Sequence, residues 1–161
     1  MSTLADADTS GPKGLGGWMI LPILGMGISP LFILAGFGPH FTLVSSGAIF
    51  RLSTALQVFI WLEIVLNILL IAGWLYALVL CMAWSQRFPK TYIAVLAANL
   101  GVQFGDLLVS LALFGHQLTG EDALAMGRGA LACAIWIPYM LLSKRVQNTF
   151  GTPVLADAKP A

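Results

Sequence analysis

Charge is the scarcest commodity in this chain. Only 9% of its 161 residues are Asp, Glu, Lys or Arg, against about a quarter in an ordinary soluble domain. With 58% hydrophobic residues and a mean hydropathy of +0.89, that scarcity argues against a water-soluble fold and for an integral membrane protein. A net charge of +1 offers no basic surface to phosphates, so no nucleic-acid partner is expected. Cysteine is rare too: Cys81 and Cys133 each sit inside an apolar run without a Cys-x-x-Cys or Cys/His context. Disulfide, zinc and redox readings are therefore poor, and packing is the remaining role. His40 and His116 are the two histidines. Both fall on the side of Glu121 and Asp122, but their spacing has no ligand pattern, so no metal site is assigned. There is no Gly-x-Ser-x-Gly, no His-Glu-x-x-His and no phosphate loop; Gly14, Gly16 and Gly17 lack the Gly-Lys-Ser/Thr ending. Nothing resembles an activated nucleophile, so enzyme is the least supported class and no cofactor is expected.

What the chain has is long apolar runs. Four of them, at about 16–37, 55–84, 91–114 and 124–142, are long enough to cross the ~30 Å hydrocarbon core as helices. The expected fold is all-α, an integral membrane four-helix bundle, as one domain over 14–147. Polar tails flank it at 1–13 and 148–161, both read as flexible. Pro22 and Pro30 interrupt the first run, and Gly25, Gly27 and Ser29 permit close packing there. The connection 38–54 is half apolar and reads as a short interfacial helix. Lys13, Arg87, Lys90, Lys144, Arg145 and Lys159 lie on one side, and only Arg51 and Arg128 on the other. Six against two places both termini in the cytoplasm. Trp18, Trp84, Tyr92 and Tyr139 then form an aromatic belt at that interface.

The third run carries most of the information. Asn99, Gln103, Asp106 and Ser110 recur at i, i+4, i+7 and i+11, one polar stripe on a helix. On roughly the opposite face, Ala97, Gly101 and Gly105 make a small-xxx-small ladder. The second run adds Glu63 and Asn67, and the fourth adds Arg128. Counted from the cytoplasmic ends at about 1.5 Å per residue, Asp106 and Arg128 stand roughly 21–22 Å up, Asn67 roughly 24 Å and Glu63 roughly 30 Å. These residues therefore share neighbouring layers as a buried polar network. Charges at a helix centre cost about 2.5–3.5 kcal/mol unpaired, which makes Asp106 or Glu63 the expected partner of Arg128. Two functional classes follow. One is an accessory or scaffolding membrane protein with a homo-oligomeric or membrane-protein partner besides the lipid bilayer. The other is a proton- or ion-linked transporter, channel or sensor that uses the buried carboxylates.

Two stretches carry a resemblance. Gly14-Leu15-Gly16-Gly17-Trp18-Met19-Ile20-Leu21, leading to Ile28-Ser29-Pro30, opens the first run. Ile135-Trp136-Ile137-Pro138-Tyr139-Met140, then Ser143-Lys144-Arg145-Val146-Gln147-Asn148-Thr149-Phe150, closes the fourth. Together, over about residues 13–150, they resemble a family of small four-span bacterial inner-membrane proteins, domain of unknown function 2569. Glu63, Asn67, Phe88-Pro89, Asp106 and Arg128 resemble the same pattern, while Met19 and Gln147 stand where it more often has Leu and Lys. The resemblance implies a four-span fold and an inner-membrane location. It implies no substrate.

Overall fold

The structure, a computed structural model, describes residues 14–115 and 117–151. Among them it is all helical. A single 3-10 turn at Gly17–Met19 leads into α1 (Ile20–Gly36), followed by α2 (Gly38–Ser45) and a second 3-10 turn at Ala48–Arg51. Then come α3 (Thr54–Met82), α4 (Phe88–Phe114), α5 (Gly120–Leu142) and the short α6 (Lys144–Phe150). Four segments, Gly17–Ser45, Thr54–Met82, Phe88–Ala112 and Gly120–Leu142, are long and apolar enough to cross a membrane.

Local chemistry sets the boundaries. Ser53 caps α3, its hydroxyl accepting from the Leu56 N–H. Thr119 and Asp122 form a reciprocal capping box on α5. Pro22 falls in the first turn of α1, where no donor is lost, so only Pro30 interrupts that helix. α4 begins at Phe88-Pro89, three residues ahead of the expected run, because proline suits a first turn. The turn between α3 and α4 is a Schellman motif: Ser85 N–H donates to Leu80 C=O and Trp84 N–H to Cys81 C=O. Trp84 occupies its left-handed position at φ 55°, where glycine is usual. Its ring lies against Phe150, with centroids 6.4 Å apart.

The helices pack as a row. α1 packs on α3, α3 on α4, and α4 on α5, whereas the two end helices do not meet at comparable closeness. The core lies across the row at one end of the helices, where Gly14 and Thr149 meet. Met19, Met26, Trp74, Ala77, Cys81, Phe88, Tyr92, Leu96, Met140, Val146 and Phe150 form one buried cluster. The Phe88 and Phe150 rings approach to 4.6 Å, and Trp74 meets Tyr92 edge-on at 5.7 Å. Gly14 N–H donates to Thr149 Oγ1 at 2.9 Å, and the Arg145 guanidinium lies over Gly16 and Gly17. The opening and closing stretches of the sequence thus meet as one clasp.

Three expectations change here. Tyr92 is 3% exposed and belongs to the core rather than to an interfacial belt. Residues 148–150, expected in a flexible tail, are the last turn of α6, and Phe150 is buried. The tails 1–13 and 152–161 lie outside the described residues. The third change concerns close approach. A β-carbon on Gly101 or Gly105 would meet nothing within 4 Å, so among the described residues this ladder seats no helix. Close approach occurs instead at Gly73, where a β-carbon would stand 3.1 Å from Val95 Cγ2, and at Gly129, where it would stand 2.9 Å from Leu100 Cδ1.

The glycines therefore divide into two classes. Gly73→Ala and Gly129→Ala overpack α4 against its neighbours and cost about 1–3 kcal/mol, offset by up to about 1 kcal/mol of helix propensity. Gly101→Ala and Gly105→Ala keep the propensity gain alone. Thermal unfolding in detergent should show a lowered midpoint for the first pair and none for the second. The reverse order would return the tight helix contact to the Gly101 face.

Candidate functional site

The polar residues gather towards the other end of the helices. α3 presents Glu63 and Asn67 one turn apart, and α4 presents Asn99, Gln103, Asp106 and Ser110 along one stripe. All six are half-buried. α2 carries on from α1 through Phe37, which keeps right-handed helical dihedrals, so that Phe32, Ile33, Phe37 and His40 follow one helical face. That brings His40 to Glu63, with Nε2 and Oε2 3.0 Å apart. An ionised carboxylate only accepts, so in that state the ring nitrogen carries the hydrogen. The two side chains are 19% and 22% exposed.

Around that pair lies a cavity of about 240 Å³. His40, Glu63, Asn67, Gln103 and Asp106 supply its polar wall, and Phe32, Ile33 and Phe37 of the α1 end close it. A second cavity, of about 260 Å³, lies between α4 and α5 and is lined by Gln103, Asp106, Ser110 and Asp122 with Leu107, Ala125 and Met126. Gln103 and Asp106 border both. Volumes of this size with several polar walls are roomy enough for water. The carboxylates thus face polar cavities at the junctions between helices.

Arg128 stands apart from the acids. It lines a cleft of about 430 Å³ together with Asn99 and Gln103. Among the described residues it makes no ion pair, and Glu63 is met by His40 instead. The expected Arg128 pairing with Asp106 or Glu63 is therefore absent from this arrangement. His40 entered the sequence reading only beside His116, which lies outside the described residues. No cluster of three His, Cys, Asp or Glu side chains suited to a metal occurs among the described residues. His40 was assigned to a connection, whereas the first apolar helix runs on through it to Ser45; its partner shows only once that continuation is recognised.

The sequence pattern of the family described as Protein of unknown function (DUF2569) matches residues 12–151. The chain belongs to that family. No curated protein and no solved structure matches it. In this DUF2569 chain the matched region takes in the terminal clasp, all four long helices and every polar residue of the cavities. Membership brings no reaction with it. With its four long apolar helices, the family assignment points to a multi-pass membrane protein of unknown function.

The geometry assigns different costs to the loss of His40 and of Arg128. Arg128→Ala strands no carboxylate and should cost about 0–1 kcal/mol, as for an exposed charge. His40→Ala removes a charge-assisted hydrogen bond from a half-buried acid and should cost about 1–3 kcal/mol. Adding Glu63→Gln to His40→Ala should recover part of that loss. Unfolding midpoints of these variants in one detergent decide the matter. A larger loss for Arg128→Ala than for His40→Ala would restore an arginine–carboxylate pair.

Proposed function

We propose that this DUF2569 protein is an accessory or scaffolding subunit of the bacterial cytoplasmic membrane, with both termini inside. The observation that carries the reading is the face between α3 and α4. There Phe59, Leu62, Leu66, Ala98, Gly101, Val102, Gly105 and Val109 line an apolar groove of about 420 Å³. Within the bilayer, helix association depends on close backbone approach at small residues. Gly101 and Gly105 offer that approach and no helix among the described residues uses it, which leaves the groove open to another membrane helix. The bias of Lys and Arg towards one side supports the orientation.

A specific observation favours a second reading. His40, Glu63, Asn67, Gln103 and Asp106 share one cavity at the height where ionisable groups are expensive. Chains of such groups relay protons or ions in transporters and sensors. On this reading the polar network of Glu63, Asn67, Asn99, Gln103, Asp106, Ser110 and Arg128 is the working part and the bundle its support.

Cysteine labelling at Ser2, Ser46, Gln86, Gly120 and Ala158 tests the orientation. Ser46 and Gly120 should react from outside; external labelling of Gln86 or Ala158 would overturn it. Cross-linking and native-gel migration from the protein's own membrane test the accessory role. A captured partner or a second copy is expected, lost in Gly101→Leu and Gly105→Leu; migration as a lone monomer sinks the proposal. For the relay, liposomes with an internal pH dye should show flux that falls in Glu63→Gln and Asp106→Asn. Flux indifferent to both substitutions removes it.

A further inference from the structure

The cleft that holds Arg128 has a composition none of the other cavities shares. α1 contributes Leu21, Gly25, Ser29 and Phe32; α3 contributes Trp74; α4 and α5 contribute the rest of the wall. It opens between α1 and α5, the two helices that do not pack closely. Its polar groups are Arg128, Asn99, Gln103, Ser29, Tyr92 and the Trp74 indole, and no Asp or Glu lines it among the described residues. The guanidinium is a permanent cation with donors only. A cation in a cleft without an acid leaves a place for a negatively charged guest.

Trp74 closes the cleft on the α3 side: it is 3% exposed, and its ring meets Tyr92 edge-on.

The cleft is also graded along its length. Measured from the clasped end at about 1.5 Å per residue, Leu21, Tyr92 and Trp136 stand roughly 2–9 Å up, whereas Asn99, Gln103 and Arg128 stand roughly 16–22 Å up. The lower wall is Leu21, Tyr92, Leu96, Ala132 and Trp136. Gly129 lets α5 settle against Leu100 and Gln103, which brings the neighbouring Arg128 to the amide end. The cleft is therefore cationic and amide-lined above and aromatic and aliphatic below, with the Tyr92 hydroxyl its one polar group there.

We propose that this cleft binds an anionic amphiphile, its acid group held by Arg128, Asn99 and Gln103 and its apolar body laid over Leu96, Ala132 and Trp136. The head is an oxyanion, a carboxylate or a phosphate, since a guanidinium fork matches both. The body is a hydrocarbon chain entering between α1 and α5. A free fatty acid and an anionic phospholipid are the two sources of that chemistry. The binding stands whether the protein is an accessory subunit or a relay, and it needs no particular orientation in the membrane.

The test uses the full chain in phosphatidylcholine nanodiscs and radiolabelled palmitate as the probe. Saturable binding is expected, with hexadecanol unable to compete. Arg128→Gln should weaken it about 10- to 100-fold, the range of a lost charge-assisted hydrogen bond. Arg128→Lys, a point charge without the fork, should lose less. Ala132→Trp fills the apolar part and should weaken binding with Arg128 still present. It also serves should Arg128→Gln fail to fold, and an unchanged melting midpoint certifies it. Displacement of palmitate by phosphatidylglycerol identifies a phospholipid as the occupant, and failure to displace identifies the free acid; both support the proposal. Equal displacement by inorganic phosphate would overturn it, because only the head would then be recognised. So would the absence of saturable binding, or binding unchanged in both Arg128→Gln and Ala132→Trp.

Discussion

The close seating of α4 between its neighbours is the constraint on which the rest of the molecule depends. Lipid tails are as apolar as leucine, so burial alone does not drive helices together in a bilayer; contact does. α4 finds that contact where a side chain is missing: Gly73 on α3 receives Val95, and Gly129 on α5 receives Leu100. At the clasped end the same helix is held by Phe88 against Phe150 and by Tyr92 against Trp74. Packing is therefore dense at one end of the helices and spare at the other. The spare end is where volume remains, and it is where Glu63, Asp106 and Arg128 stand.

That division explains how so apolar a chain keeps intramembrane charges. A carboxylate facing hydrocarbon carries a steep cost. One facing a cavity with amide, hydroxyl and imidazole walls has partners and room for water. The glycines on α4 that do not seat a helix border a groove reaching Glu63 and Asp106, so the acids lie close to the surface any neighbouring helix would cover.

The long helices were legible because twenty-residue apolar runs have one physical meaning. The polar stripe was legible too, since Asn99, Gln103, Asp106 and Ser110 stand out against an apolar background. The close contacts were not. A repeated small residue such as Gly101 and Gly105 makes a visible pattern, whereas Gly73 and Gly129 matter only because of which side chain faces them. Tyr92 has the look of an interfacial aromatic, and it is buried because Trp74 of α3 and Phe88 pack on its ring, Phe88 being covered in turn by Phe150 of α6. Val146 and Phe150, four apart, were the overlooked sign that the chain continues as a packed helix. The partner of Arg128 was out of reach for a different reason. Counting residues gives the height of a group in the membrane but not its bearing around the bundle. Asp106 and Arg128 share a layer and still face different cavities.

Gln103 is the residue that joins those cavities. It borders the two acid-lined spaces and the arginine cleft alike. Its side-chain oxygen lies on the α5 side, 3.6 Å from where a β-carbon on Gly129 would stand. An amide offers an acceptor to a guanidinium and donors to a carboxylate at the same time. A leucine there would isolate the two regions, and a glutamate would set a third acid between them. With glutamine, what happens at Arg128 and what happens at Asp106 share one rotatable group. An anion taken up by the arginine competes for the same amide that faces the acids. The separation of the charges into two spaces, which depth alone did not reveal, thus leaves them linked through a single side chain on the helix that the contacts at Gly73 and Gly129 hold in place.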